Sequence, residues 1–319
     1  MSYYLGIDGG GSKTTCAVGD EKFLLSSAVA GPSNITRVGE ARARESLHES
    51  IRQACATAKI DPWQLERACI GVAGAGREEI AKVVHKIIAE VIPAEIEVAG
   101  DMQIVLEAAF GDGPGVIVIA GTGSIAYGRD SQGRTARAGG WGFTISDEGS
   151  AHWIGRAAVT ALLRAIDESK SKNAQAADDE SAAEALPLLE ELKAAWNLHS
   201  LDEFLRTANS NPDFAALFPA ILDAADTGNA LAQRVLAQAA DELAQLAGIV
   251  VRRLFAEGEG NSLGVPLAMA GGVFRHSVSV REMFCSIVCK LDPLLELNAQ
   301  IVEPVAGALQ MARQSNRRG

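Results

Sequence analysis

No pair of cysteines in this sequence has C-x-x-C spacing, and the five present (Cys16, Cys55, Cys69, Cys285, Cys289) are odd in number. Such a set builds neither a zinc ribbon nor a disulfide framework, so a reduced, cytoplasmic setting is expected. Cys285 and Cys289, four apart in an apolar helical stretch, read as core. The five histidines are scattered without metal-ligand spacing. No apolar run reaches about 18 residues, and no basic segment with an apolar core opens the chain, so neither a membrane span nor a signal peptide is expected. Positive charge is scarce: 29 Lys and Arg against 40 Asp and Glu leave a formal charge of −11. That balance argues against nucleic acid or an anionic membrane as the main partner. Aromatics make up only 5%, whereas glycine reaches 32 residues in 319. Few aromatics and many glycines suit an α/β protein rich in tight strand–loop transitions, long enough for two domains.

What is present centres on Leu5–Val18, LGIDGGGSKTTCAV. It reads as a strand, a turn of three glycines carrying Ser12 and Lys13, and a second strand. A run of backbone N–H groups in such a turn forms an anion-binding concavity, and Lys13 adds a positive charge. Asp8, at the strand exit, is positioned to hold a water-ligated magnesium beside phosphates. An ordinary glycine-rich hairpin is the alternative. A Walker A loop is excluded, because Ser12 intervenes between Gly11 and Lys13 and the β-branched residues that follow favour a strand over a helix.

Along the chain, strands are expected near 23–29, 67–73, 95–99, 116–120, 266–270 and 301. Helices are expected over 40–59, from Ile80 to Val91, after Ile154, over 229–257, from Ser277 and from Pro304. Residues 168–186, rich in Ala, Asp and Glu, read as a solvated connection. Glycines 111–115 precede a second start, in which VIVIA, the turn GTGS and IAYGRD repeat the opening order with Ser124 aligned to Ser12. Two related domains, each offering a glycine hairpin to a shared cleft, would explain the repeat. GTGSIA also fits G-x-G-x-x-A, but the strand that follows and the missing acidic residue argue against dinucleotide binding.

Three strand-exit glycine turns, DGGGSKT, AGTGS and MAGGVF, resemble the actin-like ATPase and sugar-kinase superfamily in their order. The longer set LGIDGGGSKT, GPSN, GVAGAGR, AGTGS, GGWG, DEGSAHWIG and AGGVF is similar to the N-acetylglucosamine kinase family and its BadF/BadG-type ATPase relatives. The resemblance implies an α/β fold of two actin-like (ribonuclease H-like) domains with a nucleotide and sugar cleft between them. The first would span 1–113, joined by a C-terminal helix at 304–316, and the second 114–319 with a helical insertion.

It also implies ATP and Mg2+ as cofactors, a sugar as the acceptor, and oligomeric state left open, a homodimer included. Gly10, Gly11, Ser12, Lys13 and Thr14 would meet the β- and γ-phosphates, with Asp8 orienting the metal through water. Thr122 and Gly123 would close on the γ-phosphate, and Gly271 and Gly272 would lie against the nucleoside. Asp101 would be the base facing the sugar 6-hydroxyl; by itself it reads equally as a helix N-cap. Asn34, Gly140, Trp141, Asp147 and Ala151 match sugar-recognition positions, Trp141 having a core position as its alternative. Met102-Gln103 and Ser146 depart from the family pattern, both near the acceptor.

N-acetylglucosamine is the expected acceptor, with glucosamine, N-acetylmuramic acid and glucose as alternatives. An activator of radical reductases carrying an iron–sulfur cluster is a competing expectation. It lacks thiolates, since no cysteine falls between Cys69 and Cys285.

Overall fold

The computed structural model describes residues 2–171, 180–255, 264–291 and 295–314. Its strands are β1 (Tyr3–Gly9), β2 (Thr14–Gly19), β3 (Leu24–Ala30), β4 (Leu65–Val72), β5 (Glu95–Gly100), β6 (Gly115–Ala120), β7 (Ser124–Arg129), β8 (Thr135–Gly139), β9 (Val265–Ala270) and β10 (Leu295–Val302). The helices of the first half are α1 (Ile35–Ala58), α2 (Glu78–Ala89) and α3 (Asp101–Phe110). Those that follow are α4 (Ala151–Ser171), α5 (Glu180–Ala195), α6 (Leu201–Ala208), α7 (Phe218–Asp226), α8 (Ala230–Phe255), α9 (Gly272–His276), α10 (Val278–Leu291) and α11 (Pro304–Gln314). No described helix is long and apolar enough to cross a membrane.

Two five-stranded sheets carry the fold. The first runs β3-β2-β1-β4-β5 and the second β10-β9-β6-β7-β8. Read from β8, the second repeats the connectivity of the first, and β6 starts at Gly115 as β1 starts at Tyr3. The sequence repeat is thus a repeat of topology. In the first sheet β1–β2–β3 form an antiparallel meander, while β1, β4 and β5 are parallel.

The chain divides into two compact units. Unit 1 comprises Met1–Ile117, Gly128–Arg134 and Gln300–Gly319; unit 2 comprises Val118–Tyr127 and Thr135–Ala299. In unit 1 the period of two along β1 sends Leu5 and Ile7 to one face and Tyr4 to the other. The first face packs on Leu47, Ile51 and Ala54 of α1 and Val84, Ile87 and Ile88 of α2. The second packs on Ile104 of α3 and on Ala308, Leu309 and Ala312 of α11. In unit 2 the long helix α8 buries Leu236, Ala239, Leu243, Ala247 and Val250.

Helix α11 reaches its place because two glycines let backbone touch backbone. A Cβ on Gly307 would lie 1.9 Å from the Ile104 carbonyl oxygen, and one on Gly6 would lie 2.3 Å from the Leu309 nitrogen. Gly307→Ala must therefore push α11 off α3. We expect a loss of roughly 1–3 kcal/mol of unit 1 stability, the size of a core overpacking defect, measurable by urea denaturation.

Three features differ from the sequence expectation. Helix α1 starts at Ile35, five residues early, because Asn34 caps it and Gly39 (φ 78°) interrupts the apolar rhythm without ending the element. The polar stretch 168–186 is helical at both described ends, since α4 continues to Ser171 and α5 begins at Glu180; Ala and Glu are strong helix formers whatever their polarity. Its centre, 172–179, lies outside the described residues. Strand β8 is additional, a short edge strand too polar to announce itself.

Candidate active site

Parallel pairing sets Asp8 opposite Gly71, and Gly71 opposite Ala99, so β1 and β5 deliver Asp8 and Asp101 to one carboxyl edge of the first sheet. That edge is where open α/β sheets collect ligands. Asp101 is the first residue of α3 and does not cap it. The cap is Gly100, whose N–H donates to Gln103 Oε1 at 2.8 Å. Asp101 Oδ1 accepts from the adjoining Met102 N–H at 3.0 Å. Its carboxyl is raised by burial, against which the Met102 and its own N–H groups act.

Asp8 is pushed further. Burial and then the facing Asp101 charge raise its carboxyl to about 7; Lys13 opposes this and Glu303 adds to it. Three acids and one lysine therefore share this edge of unit 1. Glu303 arrives with the chain's return into α11, a juxtaposition no local pattern could announce.

The first glycine turn is closed by Gly10 N–H donating to the Lys13 carbonyl at 3.0 Å. The Gly10 carbonyl in turn accepts from Ser33 and Asn34 N–H, at 3.1 and 3.2 Å, fastening the GPSN turn beneath the loop. Ser12 and Lys13 project outward and are exposed. Thr14 corrects an expectation: its side chain is fully buried, and its hydroxyl bonds the Gly31 carbonyl and Ser33 Oγ, both at 2.7 Å. It struts the turn and offers no hydroxyl to a nucleotide. Asn34 Oδ1 accepts from Thr36 N–H at 3.1 Å and from its hydroxyl at 2.7 Å, so the cap occupies that oxygen.

In unit 2 the second glycine turn folds onto the start of α4. Gly121 N–H donates to the Gly123 carbonyl at 2.9 Å, Ala151 N–H to Gly121 at 2.9 Å, and His152 N–H to Thr122 at 3.4 Å. Ser124 Oγ reaches the Glu148 carbonyl at 2.7 Å. Asp147, held at φ 61°, accepts from Gly142 N–H at 3.2 Å and lies against Gly123, where a Cβ would come within 2.5 Å of its Oδ2. Burial raises its carboxyl, and the Gly142 bond works the other way. Gly271 packs on Ala120, at the root of the same turn; its absent Cβ would be 2.3 Å from that carbonyl. Thr122, Gly123, Asp147, Ala151, Gly271 and Gly272 are thus brought together.

Ala151 is buried, with its N–H committed to the Gly121 carbonyl. Trp141 is 66% exposed, which removes its core alternative. Its ring stacks instead under Arg137, 4.2 Å from guanidinium carbon to ring centroid.

The model of the BadF/BadG/BcrA/BcrD ATPase family matches residues 5–312. The chain belongs to that family. A relative from Clostridium acetobutylicum, N-acetylmuramic acid/N-acetylglucosamine kinase, is 31% identical over 98% of this chain and 99% of its own length. N-acetyl-D-glucosamine kinase of Dictyostelium discoideum is 27% identical over 98% of each. The fold is also that of a candidate N-acetylglucosamine kinase from Chromobacterium violaceum, with TM-score 0.70, 23% identity, and 98% and 99% coverage.

As a BadF/BadG-type ATPase the chain uses ATP, and its glycine turns are the features that recur at strand exits in both units. Sequence reasoning passed over Glu303 and Arg137. Glu303 was masked by Pro304, which read only as a helix start; Arg137 sat in a strand that was not expected. Cys16, Cys55 and Cys69 are buried, with thiols raised by burial, whereas Cys285 is half-buried and Cys289 exposed.

Proposed function

We propose that this ATPase is a sugar kinase that transfers the γ-phosphoryl group of ATP to the 6-hydroxyl of N-acetylglucosamine. The observation that carries this is Asp101: a buried carboxylate at a strand exit, the first residue of α3 and not its cap, on the same edge as Asp8 and the first glycine turn. Phosphoryl transfer needs positioning, charge neutralisation and a carboxylate to take the hydroxyl proton. Asp101 accepts that proton as the sugar oxygen bonds to phosphorus and ADP departs.

Gly10, Gly11, Ser12 and Lys13 receive the β- and γ-phosphates, and Thr122 with Gly123 receives the γ-phosphate. Gly271 and Gly272 flank the nucleoside. Asp8 is suited to a hydrated Mg2+: burial first, and then the facing Asp101 charge, raise its carboxyl, a cation would favour the ionised form, and magnesium keeps much of its water shell. Such an ion would neutralise charge on the phosphates. Asn34, through its Nδ2, together with Gly140, Trp141 and Asp147, orients the sugar.

The test is turnover of Mg-ATP by the purified protein against N-acetylglucosamine, glucosamine, N-acetylmuramic acid and glucose, with product mass read for each. A sugar 6-phosphate is expected, and ATP hydrolysis without one overturns the proposal. The exposed Trp141 face supports the acetylated acceptor, since an N-acetyl methyl laid on it gains roughly 1 kcal/mol by the per-methylene transfer figure. Trp141→Ala should then lower kcat/KM for N-acetylglucosamine about fivefold relative to glucosamine. Equal losses on both would remove Trp141 from acetyl recognition.

A further inference from the structure

Beside the acceptor residues stands a cation that the kinase reaction does not use. Arg137, on β8, lies over Trp141 and donates through Nη1 to the Gly140 carbonyl at 3.3 Å. Its own carbonyl accepts from Arg253 Nη1 of α8 at 2.7 Å, which pins the backbone the side chain springs from. No other bond to the Arg137 guanidinium is formed among the described residues, so most of its in-plane donors remain for a ligand. With Trp141 66% exposed, the stacked pair faces solvent.

A guanidinium held flat on an indole is already ordered. It loses little freedom on gripping a planar anion, and its fork matches a carboxylate through two parallel N–H···O bonds. The surroundings make such a cation necessary for any acidic acceptor. The chain carries a formal charge of −11, and Asp147 and Glu148 follow on the same loop. A neutral sugar needs no Arg here; a carboxylated one does.

We propose that Arg137 is a specificity-determining residue that recognises a carboxylate carried by the acceptor, so that the site takes N-acetylated hexosamines bearing an acidic substituent as well as neutral ones. This rests on the sugar-kinase function proposed above and assigns the acceptor class at the same site. N-acetylmuramic acid, with its carboxylate on an ether-linked arm, is the probe.

The experiment compares kcat/KM for N-acetylmuramic acid and for N-acetylglucosamine with Mg-ATP, using the full chain and its Arg137→Gln and Arg137→Lys variants. The native protein should phosphorylate both. Arg137→Gln should lower the acidic-to-neutral ratio at least ~10-fold, the size of a lost charge-assisted pair. The ratio cancels any weakening of Trp141 support, which falls on both sugars. Arg137→Lys keeps the charge but not the fork and should fall between; it carries the test alone if the Gln variant does not fold. Added salt should depress the ratio in the native protein and leave it flat in Arg137→Gln. An unchanged ratio in both variants, or native turnover of N-acetylglucosamine without N-acetylmuramic acid, overturns the proposal. So does a parallel loss on both sugars with a raised KM for ATP, which would place Arg137 at the nucleotide. Turnover of neither sugar would instead overturn the kinase function itself.

Discussion

Asp101→Asn is expected to lower sugar phosphorylation by about 10²–10⁴-fold, the range that a positioned general base supplies, while ATP binding and thermal stability stay close to native. The amide keeps the shape of the carboxyl, and its oxygen can still accept from Met102 N–H at the head of α3. Helix initiation is not at risk, because the cap residue is Gly100 and not Asp101. What the amide cannot do is accept the proton of the 6-hydroxyl.

The pH profile gives an independent check. Burial raises the Asp101 carboxyl, so the base form is lost at a higher pH than for an ordinary aspartate. The native kcat/KM should fall as pH drops through that raised value, and the residual activity of the variant should lack this limb. Near-native turnover by Asp101→Asn would remove Asp101 from the mechanism.

Much of this candidate site was legible in the sequence, for a physical reason. Strand, glycine turn and strand are local events, written in β-branched runs and in glycines where backbone must turn or approach, so DGGGSKT, AGTGS and MAGGVF declared themselves. What stayed hidden depends on contacts distant in sequence. Thr14 was expected among the residues that meet the phosphates, yet the GPSN turn folds beneath it and takes its hydroxyl. Trp141 had two readings, core or sugar platform, and only β8 with its Arg137 decided that the ring lies outside. Gln103 seemed a departure near the acceptor, yet its side chain turns back to the Gly100 N–H at the head of α3. The coupling of Asp8 to Glu303 requires α11 to cross α3 at Gly307, which no window of sequence contains.

That coupling leads to the other large effect, at Asp8. With its folded-state carboxyl at about 7 against 3.8 for an ordinary aspartate, the metal-free native protein binds more protons than the unfolded chain between those limits. Stability falls with rising pH wherever the native state holds the extra proton, so the metal-free protein should lose stability from about pH 4 to about pH 7 through this group. The loss is complete above the raised value. Asp8→Asn abolishes the titration and the repulsion from Asp101 and Glu303 together. In EDTA at pH 8 the variant should therefore melt several degrees higher than native, with the gap closing at pH 5, where native Asp8 is already protonated. Catalysis should move the opposite way. The carboxylate that destabilises the metal-free fold is the one suited to hydrated Mg2+, and Asp8→Asn should cost about 10²-fold or more in turnover at saturating Mg-ATP. A variant no more stable than native in EDTA at pH 8 would show that the carboxyl is not raised. Native turnover by a stabilised variant would instead remove Asp8 from the metal site while leaving its electrostatics intact.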